Sequence, residues 1–253
     1  MHVSLCDQSR GRYHTGMKIL RFLPGLLLAC APMAAAEPPP AKAAASKPAA
    51  KPKPPVAAKP AVASPRTVTV TPEGEYVLGS PSAKVVVTEY GAPTCPYCKQ
   101  WHDKVYTQLR RNYIDTGKVR FAFRELPSHN PPVDMAIFAI ARCAATDKYF
   151  TVIDKAFARQ EQIEASNRQQ GGPLPLLQAL AGEVGVTPDK FMGPCLDSPT
   201  LKTRLGAVQQ LAARDKAPGT PAILIDGAMI SDAAMDDYKA LRALLDAAVA
   251  AAK

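Results

Sequence analysis

The sequence predicts an α/β domain that carries a long helical block within it. Three observations support that class. A strand–helix–strand unit closes within about 45 residues, with Cys95-Pro96-Tyr97-Cys98 at its strand-to-helix junction. Residues 131–214 then read as almost entirely helical. After Pro218-Gly219 the β signal returns, and the chain closes on an amphipathic helix.

In chain order, residues 67–71 and 75–78 read as short strands separated by Pro72 and Gly74. The continuous Val85-Val86-Val87 run marks 84–90 as a buried strand. A helix is expected from Pro96, a residue suited to a first turn, to about Thr116, closed by Gly117. Val119, Phe121 and Phe123 alternate with polar positions and make 119–126 a strand. Within the helical block, 135–145, 148–159 and 175–184 are three segments, Thr187-Pro188-Asp189 starts another, and 199–214 is the last. Residues 222–226 and 228–230 flank an Asp226-Gly227 hairpin turn, and 236–252 is the terminal helix. No internal repeat is visible.

The segment before this domain has a different character. Met17-Lys18-Ile19-Leu20-Arg21 opens a basic stretch, residues 22–33 are apolar, and Ala34-Ala35-Ala36 supplies small residues. Together they read as a cleavable export signal over residues 1–36, with 1–16 an over-extended start. The apolar run is too short to span a membrane. Leu27-Leu28-Ala29-Cys30 resembles a lipoprotein box, so a lipid anchor at Cys30 is the alternative; Arg21 leaves that box a short apolar run and favours cleavage after Ala36. Residues 37–66, nearly all Ala, Pro and Lys, form an extended linker reaching roughly 90 Å at about 3.1 Å per residue. The linker carries five Lys and one Arg against one Glu, whereas residues 67–253 carry 21 basic and 20 acidic side chains. The basic balance therefore belongs to the tail, and the near-neutral domain at 67–253 gives no argument for nucleic acid.

An exported chain enters a compartment where disulfides persist. Without the signal, Cys95, Cys98, Cys143 and Cys195 remain. Cys95 falls at a helix start, where unpaired N–H groups and the helix dipole favour a thiolate. It is expected to be partly exposed and to act as the nucleophile of dithiol–disulfide exchange, with Cys98 one turn inside as the resolving thiol. A purely structural bridge across so short a loop constrains little chain entropy. A metal site with His102 as third ligand lacks the second Cys-x-x-Cys that tetrahedral zinc needs, so no metal and no cofactor is expected.

Cys143 and Cys195 sit in core-like contexts, as two separate buried thiols or as a bridge. Export favours a structural disulfide closing about 50 residues, contributing roughly 4 kcal/mol in the loop-entropy account. Glu89 stands six residues before Cys95 on the Val-rich strand, where a carboxylate is costly unless paired or protonated. It reads either as a buried acid that takes up the proton of Cys98 or as an acid reaching solvent or a lysine, with Arg124 a candidate partner. His102 reads as a packing or hydrogen-bonding residue.

These motifs together resemble the DsbA-like thiol–disulfide oxidoreductases, a thioredoxin fold with an inserted helical subdomain, in their branch with Cys-Pro-Tyr-Cys centres. The resemblance rests on Leu78-Gly79-Ser80-Pro81-Ser82-Ala83, Glu89-Tyr90, Cys95-Pro96-Tyr97-Cys98-Lys99, the insertion at about 131–214 and Gly219-Thr220-Pro221, over roughly residues 72–253. It implies a cis Thr220–Pro221 bond facing the cysteines, with the Thr220 backbone free to pair with a substrate strand, and an acid at the Glu89 position. It further implies a periplasmic enzyme that exchanges disulfides with exported proteins and is reset by a membrane redox partner. An oxidase leads; Tyr97 brings no positive charge between the cysteines, which leaves isomerase or reductase work open. No dimerisation domain is visible, and a monomer is favoured. The alternatives from other classes are a thiol-based copper or zinc module and a cytosolic glutaredoxin, the latter opposed by the export signal and the insertion.

Overall fold

The computed structural model describes residues 67–252; the export signal, the Cys30 anchor and the 37–66 linker lie outside the described residues. Six strands form one sheet in the order β1-β2-β4-β3-β5-β6. They are β1 (Val68–Val70), β2 (Tyr76–Leu78), β3 (Val85–Gly91), β4 (Val119–Glu125), β5 (Ala222–Ile225) and β6 (Ala228–Met229). Central β3 runs parallel to β4 and antiparallel to β5. Its valines suit a strand covered on both sides, and Val85 and Val87 are buried. Asp226 and Gly227 take positive φ (49° and 84°) and turn β5 into β6.

Helical backbone runs unbroken from Pro96 to Ile114, with a winding that the sequence reading did not anticipate. Pro96–Trp101 and Thr107–Leu109 are α-helical, whereas His102–Tyr106 and Arg110–Ile114 are wider π turns. A π turn adds a residue and re-phases the side chains that follow it. Here the first one carries His102 and Tyr106 inward together, both buried with ring centroids 4.4 Å apart.

The insertion comprises Pro131–Cys143, Tyr149–Ala158, Gln160–Ser166, Leu174–Glu183, Pro188–Lys190 running into the wide Phe191–Cys195 turn, and Pro199–Arg214. Its first helix starts at Pro131 rather than 135, because Pro131 and Pro132 occupy first-turn positions whose N–H groups have no helical partner anyway. Gln160–Ser166 is a further helix, set off where Arg159 leaves helical geometry (φ −108°, ψ 8°). The terminal helix divides into Asp232–Asp236 and Tyr238–Ala251, because Asp237 is extended (φ −122°, ψ 112°) and its carboxylate accepts the N–H of Lys239.

Two devices fix the insertion. Arg142 donates to both oxygens of Glu125 at the end of β4 (2.7 and 2.6 Å), and the Tyr149 hydroxyl donates to the same carboxylate at 2.9 Å. A buried carboxylate so fully paired avoids the cost of an isolated buried charge. Cys143 and Cys195 are joined by a disulfide with Cα atoms 5.8 Å apart, tying the end of the first insertion helix to the Phe191–Cys195 turn.

Candidate active site

Strand β3 ends at Gly91, and the short loop after it delivers Cys95 to the N-cap of the long helix, with Pro96 in the first helical position. Cys95 has the extended geometry of a cap (φ −74°, ψ 120°), and its sulfur accepts the N–H of Cys98 at 3.4 Å, where a capping oxygen would normally sit. Its thiol donates to the carbonyl of Thr220 at 3.2 Å. The Thr220–Pro221 bond is cis and directly precedes β5, whose Ala222 pairs with Tyr90 of β3. Sheet register therefore brings the Thr220 loop to the thiols across more than a hundred residues of sequence.

The expectation that Cys95 is partly exposed is corrected: it is 4% exposed, because the Thr220 loop closes over the sulfur. Tyr97 between the cysteines is 71% exposed, and a cleft of about 320 Å³ runs between it and Thr220–Pro221. A larger cleft of about 690 Å³ lies along the helix beside His102 and Tyr106, and neither cleft is lined by a cysteine.

Both cysteines are free thiols, and their environments push them apart. A hydrogen bond from the Cys98 thiol, with help from Thr220 and the N–H groups of Cys98 and Tyr97, lowers the Cys95 pKa from 9.0 to about 6, against the opposing effect of burial. Burial raises Cys98 well above 9.0, reinforced by its bond to Cys95 and by the negative charge of Glu89. The outer sulfur is thus a thiolate near neutral pH while the inner one keeps its proton.

Glu89 is fully buried. Its Oε2 lies 2.9 Å from His102 Nε2, and its Oε1 has no hydrogen-bond partner. Arg124 is not its partner, contrary to the sequence expectation. Glu89 stands opposite Phe123 and Arg124 opposite Tyr90, so the two side chains face opposite sides of the sheet, and Arg124 bonds Glu75 (2.6 Å), Asp215 (2.8 Å) and the Tyr90 hydroxyl (2.6 Å) instead. Gly91 makes room for the acid: a Cβ there would meet Glu89 Oε1 at 2.7 Å and the Phe123 ring at 2.7 Å. With His102 turned to Glu89, no group of three His, Cys, Asp or Glu side chains suited to a metal ion occurs among the described residues.

A second set of side chains holds the loop before Cys95. Asp134 accepts the N–H of Thr94 (2.9 Å), the Thr94 hydroxyl (2.9 Å) and the N–H of Ser128 (3.0 Å). Gln160 donates to the carbonyls of Pro93 (2.7 Å) and Cys95 (2.9 Å). The Thr220 hydroxyl donates to that of Ser128 at 2.9 Å. Sequence reasoning pointed to Thr220 but missed Thr94, Ser128, Asp134 and Gln160. An acid in a first helical turn reads as an ordinary complement to the helix dipole, and nothing local points to its partner.

A family model described as thioredoxin matches residues 71–247. A Rickettsia prowazekii protein named as a protein-disulfide oxidoreductase is 30% identical over 193 residues, 74% of this chain and 68% of that protein. Disulfide bond formation protein D of Bacillus subtilis is 24% identical over 176 residues, 69% of this chain and 77% of that protein. Among solved structures, α-DsbA1 of Wolbachia pipientis has a TM-score of 0.60 at 22% identity, over 72% of this chain and 94% of that one. Oxidised BdbD of Bacillus subtilis has a TM-score of 0.59 at 22% identity, over 69% of this chain and 92% of that one. These structures share the fold described above.

Proposed function

The chain belongs to the thioredoxin family and is a DsbA-like thiol–disulfide oxidoreductase; on that premise we propose that it oxidises exported proteins through a mixed disulfide at Cys95. The observation that carries this reading is the placement of the two thiols: Cys95 caps the helix and accepts the N–H of Cys98, while Cys98 is fully buried behind it, and this placement opposes their ionisation. In the oxidised enzyme, a substrate thiolate attacks the Cys95 sulfur. The Cys95–Cys98 bond breaks, and Cys98 leaves as a thiolate that takes up a proton, with Glu89 the nearby group to exchange it. A second substrate thiolate then attacks the substrate sulfur of the mixed disulfide. Cys95 departs as a stabilised thiolate, leaving a substrate disulfide and a reduced enzyme. Where the substrate has no second thiol, Cys98 resolves the mixed disulfide.

Direction follows from the same asymmetry. Lowering Cys95 from 9.0 to about 6 stabilises the reduced pair at pH 7 by about 1.4 kcal/mol, or about 30 mV toward an oxidant. A protonated Cys98 is slow to attack back, which gives the substrate's second thiol time to act. The cleft beside Thr220 suits an extended substrate segment, and the Thr220 carbonyl, which a disulfide-bonded Cys95 has no proton to occupy, is its backbone acceptor. Export rests on the signal at residues 1–36, and the cycle requires a membrane partner that withdraws two electrons from the pair while Cys98 gives up its proton.

Cys98→Ala accumulates a substrate adduct at Cys95 that reductant releases, and Cys95→Ser forms none; an adduct elsewhere overturns the assignment. A glutathione titration gives a potential above about −200 mV for an oxidase, and one near thioredoxin's, about −270 mV, replaces oxidation by reduction as the activity. Intact mass of the secreted protein tests export: a start at Glu37 means a free periplasmic protein, a lipidated Cys30 a tethered one.

A further inference from the structure

We propose that Asp134 is a positioning residue for exchange: from the first turn of the insertion it holds both segments that flank the Cys95 sulfur, the Pro93–Cys95 loop through Thr94 and the Thr220–Pro221 loop through Ser128. The inference rests on Cys95 being the reacting thiol. Asp134 lies in the first turn of the Pro131–Cys143 helix and is fully buried, where a dipole-complementing acid would stay in water. Burial of a carboxylate is offset here by three donors, two from Thr94 and one from Ser128, all at 2.9–3.0 Å. The Thr94 hydroxyl also accepts the N–H of Asn130 at 2.9 Å, so the loop before the thiol and the loop before the insertion are cross-bonded.

Ser128 carries the connection onward. Its N–H is bound to Asp134, and its hydroxyl accepts that of Thr220, whose carbonyl accepts the Cys95 thiol at 3.2 Å. A closed circuit results: Cys95, Thr94, Asp134, Ser128, Thr220 and back to the sulfur. Attack along an S–S axis tolerates little misplacement, and a displacement near 1 Å costs on the order of a hundredfold in rate. The insertion thereby sets the aim of the thiol. Charge links the same two residues: burial is the main cause that raises the Asp134 pKa to about 6, and the facing Cys95 thiolate adds to it. The repulsion is reciprocal, so the carboxylate also opposes ionisation of Cys95.

The test compares Asp134→Asn, Ser128→Ala and the double variant in peptide disulfide exchange, together with the ultraviolet titration of the Cys95 thiolate. Asparagine keeps the shape but sets an N–H₂ group either against the Thr94 N–H at the Oδ1 position or against both donors that share Oδ2. Asp134→Asn is expected to slow exchange tenfold or more and to move the thiolate titration to lower pH. Ser128→Ala slows exchange without moving that titration, and in the Asp134→Asn background it adds less than twofold, because the chain of bonds is already cut. Multiplying effects in the double variant, or an unmoved titration in folded Asp134→Asn, overturns the proposal. Should Asp134→Asn not fold by near-ultraviolet circular dichroism, Ser128→Ala decides alone: unchanged exchange overturns the circuit. Cys95→Ser separates the two readings: exchange that survives it overturns the nucleophile assignment and the positioning role with it, whereas exchange lost there but unchanged in Ser128→Ala overturns the circuit alone.

Discussion

The two cysteine pairs of this domain have the same chemistry available and opposite circumstances. Cys143 and Cys195 are 52 residues apart, bonded, and placed where two insertion segments meet. Cys95 and Cys98 share one helical turn, and the surroundings split their acidities. Loop entropy accounts for part of the contrast: a crosslink over about 50 residues restrains the unfolded chain by about 4 kcal/mol, one over four residues by about 2. Electrostatics account for the rest, because a stabilised thiolate at Cys95 favours the open dithiol. The comparison shows that a pair becomes structural or reactive through loop length and local charge, not through its amino-acid type.

The sharpest way to break this contrast is to remove the long-range pair. Cys143→Ala with Cys195→Ala should lower unfolding free energy by about 4 kcal/mol in urea denaturation while peptide exchange stays within about twofold. A matching loss of exchange in the folded variant would show that the insertion crosslink and the reactive pair are not separable. Gly91→Ala acts from the other side. The new methyl strikes Glu89 Oε1 and the Phe123 ring, so it should cost about 1–3 kcal/mol and slow exchange, measured by thermal melts and stopped-flow fluorescence of the buried Trp101.

Glu89→Gln tests proton handling without changing shape. It should slow the step in which Cys98 gains or loses its proton by about tenfold, visible as an altered pH profile of single-turnover exchange. Unchanged alkylation of Cys95 in the same variant would confine the effect to Cys98. The last test is the pH dependence of the wild-type dithiol. The folded Cys95 pKa lies below its ordinary value, so its stabilisation is full above about pH 9 and is lost as pH falls through about 6. Between those limits reduced protein should gain stability with pH and iodoacetamide reactivity should follow a single titration near 6. The Cys143–Cys195 bridge contributes no such slope.

Much of the fold was legible because its signals are local. The Val85–Val87 run, Pro96 after Cys95 and Asp226-Gly227 each specify backbone by short-range sterics, and β3, the long helix and the β5–β6 turn stand where they indicate. The π turns were not legible, since no local signal marks them; the first packs His102 and Tyr106 among distant rings, including Phe157 at 4.0 Å from His102. Glu89 could be singled out as an acid in an apolar strand, but the choice between Arg124 and His102 depended on which face of the sheet Arg124 occupies and on the winding of the helix that carries His102.

The sequence by itself determined that this chain is an α/β protein with a strand-to-helix dithiol, a helical insertion and a proline before the last strands, because spacing, proline and β-branching act over a few residues. Only the tertiary structure decided what surrounds the sulfur. The closing of Thr220 over Cys95, the pairing of Glu89 with His102 and the grip of Asp134 on Thr94 and Ser128 join residues far apart in the chain. Such contacts arise from sheet register and from the docking of the insertion, and a burial that reverses the expected exposure of Cys95 has no signature in its neighbours along the chain.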